Sequence, residues 1–270
     1  MDKLENDILT DFVDELLNII PTVNFSVLET ENKKDDSVVT NVDYQVNNIV
    51  IGLIKKLFGD DVPIISEEIE KNKEFIEDCF NRDICFIIDP IDGTMALCAG
   101  LNTCTISIGI MSKGVITDGI IYLIDKNEVI FTNGNNVYVK NKLLPEPVLF
   151  KKIDIKFKDG LAPVSIASSL ARTGFNEKRP IFVINASVFS MYKVFQGIFE
   201  KTYCRTKLWD IAACLAIGER LGCNFYICKE NIMKKLTSNK IVDFVELNNK
   251  KYMLSVGDIN IVTYLNMDKR

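Results

Sequence analysis

The sequence predicts an α+β fold whose second half changes to an α/β pattern. Two segments with helical periodicity come first, and compact apolar runs separated by short turns follow them. From about residue 145, apolar runs alternate with helical segments instead. Strands joined by tight turns indicate an antiparallel meander, whereas strands alternating with helices indicate an α/β arrangement. We therefore expect an N-terminal α+β half over residues 1–144 and a C-terminal α/β half over residues 145–270.

Two helices are predicted at the start of the chain. Residues 3–20 carry apolar side chains at helical spacing, from Leu4 to Ile20. Residues 24–39 are polar and contain lysines, which predicts a short strand and a mobile loop. Thr40 or Asn41 is expected to cap a second helix, and Gly59 is expected to end it.

The remaining elements are predicted from apolar runs. VPIIS (62–66) and DICFIID (83–89) indicate strands, and a meander follows in CTISIGIMSKG, VITDGIIYLID and NEVIFTNGNNVYV. In the second half, APVSIASS (162–169) and RPIFVINA (179–186) are typical of strands. Helices are predicted for SVFSMYKVFQGIFE (187–200) and DIAACLAIGERLG (210–222).

Composition narrows the function classes. The chain has 270 residues and a net charge of -5, so nucleic acid and membrane surfaces are poor candidates as partners. No segment approaches the roughly 20 apolar residues of a membrane span, and the N-terminus is acidic and amphipathic, which leads us to expect a cytoplasmic protein. The absence of histidine excludes Ser-His-Asp and Cys-His catalysis. If the chain is an enzyme, its proton and metal chemistry then has to come mainly from carboxylates, hydroxyls, lysines or cofactors, and carboxylate oxygens suit hard cations such as Mg²⁺.

The segment FIIDPIDGT, residues 86–94, carries the strongest chemical signal. A predicted strand ends in Asp89, and Asp92 can point back to the same spot, with the Ile91 carbonyl between them. Gly93 permits close backbone approach, and Thr94 adds a hydroxyl. Two carboxylates this close repel each other unless a cation neutralises them. The alternative is an Asx-rich surface turn in which the carboxylates merely cap amides.

Three further segments carry acids that are candidates for the same site. Glu67 and Glu68 follow an apolar strand, Asp43 lies at a helix start after Thr40, and Asp210 follows the only tryptophan. Each has a simpler explanation, since the glutamates suit a surface and the aspartates suit helix caps.

Together, the four segments resemble the inositol monophosphatase superfamily in order, spacing and overall length. The matching motifs are T-x-x-D, E-E after a strand, D-P-I-D-G-T, and W-D followed by A-A and a late glycine. The resemblance implies a layered αβαβα sandwich and a Mg²⁺-dependent phosphatase that uses a metal-activated water. It also implies a small phosphorylated metabolite as substrate and a homodimer.

The resemblance also implies roles for single residues. One magnesium ion would be held by Glu67, Asp89 and the carbonyl of Ile91, and a second by Asp89, Asp92 and Asp210. A weaker third ion near Glu67 is possible. Thr94 would hydrogen-bond the attacking water, Asp43 would orient Thr94, and the amides of Gly93, Thr94 and Met95 would bind phosphate oxygens.

The substrate side departs from inositol-specific members. Tyr203 stands where those members have a glutamate, and Ile184-Asn185 replaces a Gly-Ser or Gly-Thr pair, although Ala186 is kept. Arg205 and Lys207 precede Trp209, similar to the Tyr-x-Arg of bisphosphate nucleotidases, and either bind a second phosphate or lie in a solvated loop.

Four functions therefore remain open. The first is hydrolysis of inositol monophosphate or a related sugar or polyol phosphate, and the second is a 3'(2'),5'-bisphosphate nucleotidase. The third is a histidinol-phosphate phosphatase, which only Gly100 suggests. The fourth is an inactive relative with a binding role, although such a protein has no need for the complete acidic set.

Overall fold

The computed structural model describes residues 3–33, 37–70, 72–155, 162–166, 179–204, 206–229, 232–241 and 253–257. The α-helices within these ranges are Lys3–Ile19 (α1), Asn41–Phe58 (α2), Lys73–Cys79 (α3), Thr94–Cys98 (α4), Ser187–Phe195 (α5) and Leu208–Arg220 (α6). Single turns of 3-10 helix span Ile20–Thr22, Ile124–Lys126 and Ser238–Lys240.

The strands form three sheets. A two-stranded sheet contains Thr30–Asn32 (β1) and Val38–Thr40 (β2). A seven-stranded sheet contains, in spatial order, Ile64–Ser66 (β3), Cys85–Asp92 (β4), Thr105–Ser112 (β5), Val115–Leu123 (β6), Glu128–Asn133 (β7), Asn136–Asn141 (β8) and Val148–Leu149 (β9). A six-stranded sheet contains Val164–Ile166 (β10), Ile181–Val183 (β11), Lys201–Cys204 (β12), Asn224–Lys229 (β13), Ile232–Leu236 (β14) and Met253–Gly257 (β15). Its spatial order is β11-β10-β12-β15-β13-β14.

The sheets and helices stack in layers. Helices α1 and α2 pack on one face of the seven-stranded sheet, and α5 and α6 pack on its other face. The six-stranded sheet contacts α5 and α6 in turn. The predicted layered sandwich is thus confirmed, with four layers formed by the described residues. A fifth, outer helical layer would lie outside the described residues.

Alternation along β4 assigns its side chains to the two faces of the sheet. Phe86 and Ile88 belong to the core shared with α1 and α2. Cys85 and Ile87 belong to the core shared with α5 and α6. Because side chains alternate along a strand, Asp89 points to the same face as Ile87. The strand therefore directs the Asp89 carboxylate towards α5 and α6.

Helix α2 begins and ends as predicted. Thr40 is its N-cap and forms a capping box with Asp43, and Gly59 follows the last turn with φ +101°. Val42, Val46 and Val50 are fully buried at helical spacing. The N-terminus of α2 is thereby fixed beside the end of β4, where the candidate site lies.

Several elements differ from the prediction. The helix predicted over 187–200 ends at Phe195, because Gly197 adopts φ +76°, which a continuing helix does not allow. Helix α6 begins at Leu208, two residues before the predicted start. Helix α3 and strands β12–β15 were not predicted. The polar segment forms the β1–β2 hairpin, and its residues 34–36 lie outside the described residues.

Cys85, Cys104 and Cys214 are buried free thiols. None of the described helices has the length and apolar character needed to cross a bilayer. The division at residue 144, the homodimer and the cytoplasmic location stay predictions.

Candidate metal centre

Three carboxylates converge at the carboxyl end of β4. Ligand oxygens of Asp89, Asp92 and Asp210 all lie within 4.8 Å of one another, the one such acidic or thiol group among the described residues. Asp89 and Asp92 are 2% and 6% exposed, and Asp210 is partly exposed. Sequence reasoning predicted all three as metal ligands, and tertiary folding brings them together.

Close packing of α6 on the seven-stranded sheet explains how Asp210 reaches the end of β4. A Cβ atom at Gly109 of β5 would lie 2.5 Å from the Cβ of Ala212. A Cβ atom at Gly119 of β6 would overlap the backbone of Ala213. Only glycine at both positions lets α6 approach this closely. The first turn of α6, with Asp210, is thereby placed over the strand ends.

The first turn of α6 is also tied to the sheet by hydrogen bonds. The Lys207 amide donates to Asp210 Oδ2 at 2.9 Å, as in a capping box. Ser107, the cross-strand partner of Asp89, donates from its hydroxyl to the Trp209 carbonyl at 3.0 Å. The Lys207 amide therefore holds the Asp210 carboxylate, and Ser107 fixes the backbone just before it.

Asp92 has a structural role that sequence reasoning missed. Its Oδ1 accepts from the Ser187 amide at 2.9 Å, and its Oδ2 accepts from the Val188 amide at 2.9 Å. The Phe189 amide and the Thr105 hydroxyl approach Oδ2 at 3.4 Å. The N-cap residue of α5 makes no side-chain cap bond, so Asp92 supplies the acceptors for this helix from another layer of the fold. No local sequence signal indicates such a contact.

Thr94 and Asp43 form the predicted pair beside the carboxylates. The Thr94 hydroxyl donates to Asp43 Oδ1 at 2.8 Å and lies 3.2 Å from the Ile91 carbonyl. The other carboxylate oxygen of Asp43 accepts from the Thr40 amide at 2.8 Å and from the Thr40 hydroxyl. The cap and the catalytic role proposed for Asp43 therefore coexist, because each uses a different oxygen.

The predicted phosphate-binding segment lies at the N-terminus of α4. Gly93 has φ +93°, a conformation that favours glycine. A Cβ atom there would lie 2.9 Å from the Cβ of Ala186, so Ala186 closes on Gly93 from the start of α5. Met95 is 54% exposed and does not pack against the carboxylates. The first amides of a helix have no helical acceptor and suit an anion.

Glu67 lies next to this group but has a different partner. Its amide donates to the Ile88 carbonyl at 3.0 Å, which puts Glu67 beside the end of β4. Lys33 Nζ lies 2.9 Å from Glu67 Oε1 and 2.7 Å from Glu68 Oε1. Sequence reasoning missed Lys33, because a lysine in a polar segment gives no signal of its partner. The single ammonium charge is shared between the two carboxylates and offsets part of their negative charge.

Burial is the main cause that raises the pKa values of the three aspartates, and nearby carboxylates add to it. Burial raises the pKa of Asp89, and the charges of Glu67, Asp210 and Asp92 raise it further. Burial and Asp210 raise the pKa of Asp92 to about 8, against the effect of the α5 amides. Burial and Glu67 raise the pKa of Asp210 to about 6. A divalent cation would remove this repulsion, and an all-oxygen donor set fits Mg²⁺.

The described residues on the predicted substrate side differ widely in exposure. Lys207 Nζ lies 5.3 Å from the centroid of the Trp209 ring, and its charge lowers the pKa of Asp210. Tyr203 is 3% exposed on β12, with Lys201 Nζ 5.5 Å from its ring centroid. Asn185 is exposed next to Gly93.

The predicted Arg205 contact and the functional interpretation of Gly100 both stay predictions. Arg205 lies outside the described residues. Gly100 ends α4 with φ +70°, which by itself explains a glycine there.

Comparison with known proteins identifies a family and relatives that this chain resembles. The model of the inositol monophosphatase family matches residues 9–255. A 3'(2'),5'-bisphosphate nucleotidase CysQ of Buchnera aphidicola is 38% identical over 93 residues, which cover 33% of this chain and 32% of that protein. A putative Nus factor SuhB of Neisseria meningitidis is 24% identical over 211 residues, 74% of this chain and 77% of that protein.

Solved structures share the fold. A staphylococcal inositol monophosphatase superposes with a TM-score of 0.70 at 17% identity, covering 96% of this chain and 92% of that chain. A Thermotoga maritima IMPase superposes with a TM-score of 0.62 at 22% identity, covering 94% and 92%.

Proposed function

This chain belongs to the inositol monophosphatase family, and we propose that it is a Mg²⁺-dependent phosphomonoesterase. Its substrate is inositol monophosphate or a related small sugar or polyol phosphate. The observation that supports this best is the convergence of Asp89, Asp92 and Asp210 beside the Thr94–Asp43 pair. A purely structural turn has no need for three mutually repelling carboxylates.

The carboxylates divide between two cation positions. Glu67, Asp89 and the Ile91 carbonyl would hold one Mg²⁺, and Asp89, Asp92 and Asp210 would hold the other. When bound, the cations activate a water molecule and screen the charge of the phosphate and of the leaving alkoxide. The Lys33 ammonium group contacts the Glu67 carboxylate, so it competes with the Mg²⁺ that Glu67, Asp89 and Ile91 would hold.

Thr94 orients the attacking water. The Thr94 hydroxyl donates a hydrogen bond to Asp43 Oδ1, so the lone pairs of the hydroxyl oxygen remain to accept a hydrogen bond from the water. The Thr40 contacts fix Asp43, and the Thr94 hydroxyl therefore has one preferred orientation. This arrangement needs no histidine.

The phosphate is held by backbone. The amides of Gly93, Thr94 and Met95 lie at the start of α4 and donate to the phosphate oxygens in this proposal. Ala186 leaves room for the ester group where a longer side chain would fill the approach to Gly93.

A bisphosphate nucleotidase is the second candidate. The nucleotidase CysQ of Buchnera aphidicola is the relative with 38% identity, and Lys207 supplies a positive charge close to Asp210. Lys207 and Arg205 would bind the phosphate that is not hydrolysed. A phosphorylated small molecule is the partner in either case.

Phosphate release from a substrate panel tests the proposal. Inositol monophosphates, sugar phosphates, phosphoadenosine bisphosphate and histidinol phosphate are each assayed with Mg²⁺ and with a chelator, and Asp89→Asn serves as the inactive control. We expect Mg²⁺-dependent release that is fastest from the monophosphates. Release that persists with the chelator contradicts the mechanism, and the absence of release from every substrate supports a binding role.

A further inference from the structure

Helix α2 carries a second buried polar residue on the same side as Asp43. Asn47 lies one turn later and is 5% exposed. Its Oδ1 accepts a hydrogen bond of 2.6 Å from the hydroxyl of Ser66, which is fully buried at the end of β3. Burying an amide among the valines of α2 costs free energy unless such a bond offsets it. The hydrogen bond from Ser66 therefore offsets the cost of burying the Asn47 amide group.

The Ser66 hydroxyl also fixes the turn that follows it. Its oxygen accepts from the Glu68 amide at 3.3 Å, while the Glu67 amide donates to the Ile88 carbonyl at 3.0 Å. The backbone of both glutamates is thus bonded, one through Ser66 to α2 and the other to β4. Glu67 is the first residue of the turn after β3, and its charge acts on Asp89, so its carboxylate lies close to the carboxylate group at the end of β4.

We propose that Asn47 and Ser66 are positioning residues for the Glu67 turn. Through them, α2 sets two parts of the site at once: Asp43 orients Thr94, and Asn47 holds the turn that presents Glu67 to a cation. The inference rests on the metal-binding role proposed above for Glu67. Partners behind a ligand that restrict its orientation commonly change metal affinity by 10- to 100-fold when they are lost.

Isothermal titration calorimetry with Mg²⁺ tests the inference on the full chain. The variants are Ser66→Ala, Asn47→Ala and the double variant. We expect each single variant to raise the Mg²⁺ dissociation constant about tenfold. The double variant should bind Mg²⁺ as tightly as the single variant with the larger dissociation constant, because both substitutions break the same connection between α2 and the turn.

A matched control separates positioning from general stability. Ser165 is a fully buried strand serine whose hydroxyl donates at 2.6 Å to the Thr202 hydroxyl in the six-stranded sheet. Ser165→Ala removes a comparable bond from another part of the molecule. We expect it to lower the unfolding temperature by a similar amount and to leave the Mg²⁺ affinity unchanged.

The outcomes are distinguishable. If the wild-type protein binds Mg²⁺ and Ser66→Ala or Asn47→Ala binds it equally well, the positioning role is wrong while the proposed function stands. If the wild-type protein does not bind Mg²⁺, the proposed function fails, and this inference fails with it. Should Ser66→Ala not fold, Ser66→Cys decides, since its weaker hydrogen bonding predicts an intermediate loss and an unchanged affinity would overturn the role.

Discussion

The floor and the rim of the site are built differently. The carboxylate floor consists of Asp43, Asp89, Asp92 and Asp210, and the described substrate rim consists of Met95, Asn185 and Lys207. Asp43, Asp89 and Asp92 are buried, and backbone amides or hydroxyls hold the floor carboxylates in place. Met95 and Asn185 are exposed, and Lys207 lies over an aromatic ring. Hydrogen bonds thus fix the floor carboxylates, whereas two of the three rim side chains are exposed.

The difference follows from what each region has to bind. A divalent cation needs several oxygen ligands at short range, and burying them is costly without further hydrogen bonds. The fold meets this need by giving the floor aspartates a second task. Asp43 caps α2, Asp92 accepts the amides of α5, and Asp210 accepts the Lys207 amide at the start of α6. Helix capping is therefore compatible with the roles proposed for Asp43, Asp92 and Asp210.

The largest effect is expected for Asp89→Asn. The substitution keeps the shape but removes the charge that is proposed to bridge two cations, so phosphate release should fall by several orders of magnitude. Unfolding without metal should be unchanged or require a slightly higher temperature, because like charges around Asp89 are relieved.

Asp92→Asn is the comparison for that prediction. It should lose activity as well, but it should also be about 1–3 kcal/mol less stable, because one α5 amide would then face an NH₂ group. Equal unfolding curves for the two variants would remove the structural role of Asp92.

Thr94→Ala is expected to have the next largest effect. Without the hydroxyl, no group connects Asp43 to the attacking water, and kcat should fall about 10²–10³-fold with little change in Mg²⁺ affinity. Thr94→Ser keeps the hydroxyl and should recover most of the rate in the same steady-state assay. A rate for Thr94→Ala close to that of the wild type would contradict the proposed role.

Gly93→Ala should affect stability as well as activity. The new methyl group would meet Ala186 and also strain a backbone with φ +93°, at a combined cost of about 2–4 kcal/mol. Gly222→Ala is the matched control, since Gly222 has φ +78° with no atom within 4 Å of an added Cβ, and should cost about 1 kcal/mol. Equal losses in chemical denaturation would show that the contact with Ala186 contributes nothing.

The smallest effect is expected at the rim. Lys207→Ala should change the Michaelis constant for an inositol monophosphate by less than about threefold. If the protein also hydrolyses a bisphosphate substrate, the Michaelis constant for that substrate should rise about tenfold. Combining it with Arg205→Ala should enlarge only the second effect. Equal changes for both substrates would mean that these residues do not distinguish them.

The parts that the sequence predicts are those with strong local rules. Helix α2 follows from its valine spacing, the Thr40 cap and Gly59. The proposed cation site at Asp89 and Asp92 is indicated by two close carboxylates at the end of an apolar strand, whereas Glu67 and Asp210 became candidates through the resemblance to the family. Both signals lie within a few residues, so a single sequence is enough to find them.

The missed features depend on distant partners. Lys33 pairs with glutamates 34 and 35 residues away, and Asp92 bonds amides 95 to 97 residues away. Helix α3 has seven residues, too few for a clear period. Tyr203 is a different case. The sequence shows that it replaces the glutamate of inositol-specific relatives, but it does not identify the substrate that a tyrosine suits.

A crystal grown with Mn²⁺ in place of Mg²⁺ tests the central claim most directly. Mn²⁺ accepts the same oxygen ligands and gives an anomalous signal that locates it without ambiguity. The account predicts an anomalous peak within about 2.5 Å of oxygens from Asp89, Asp92 and Asp210, and a second peak between Asp89 and Glu67. A map with no peak between the three aspartates, from a crystal that binds Mn²⁺ elsewhere, would contradict it.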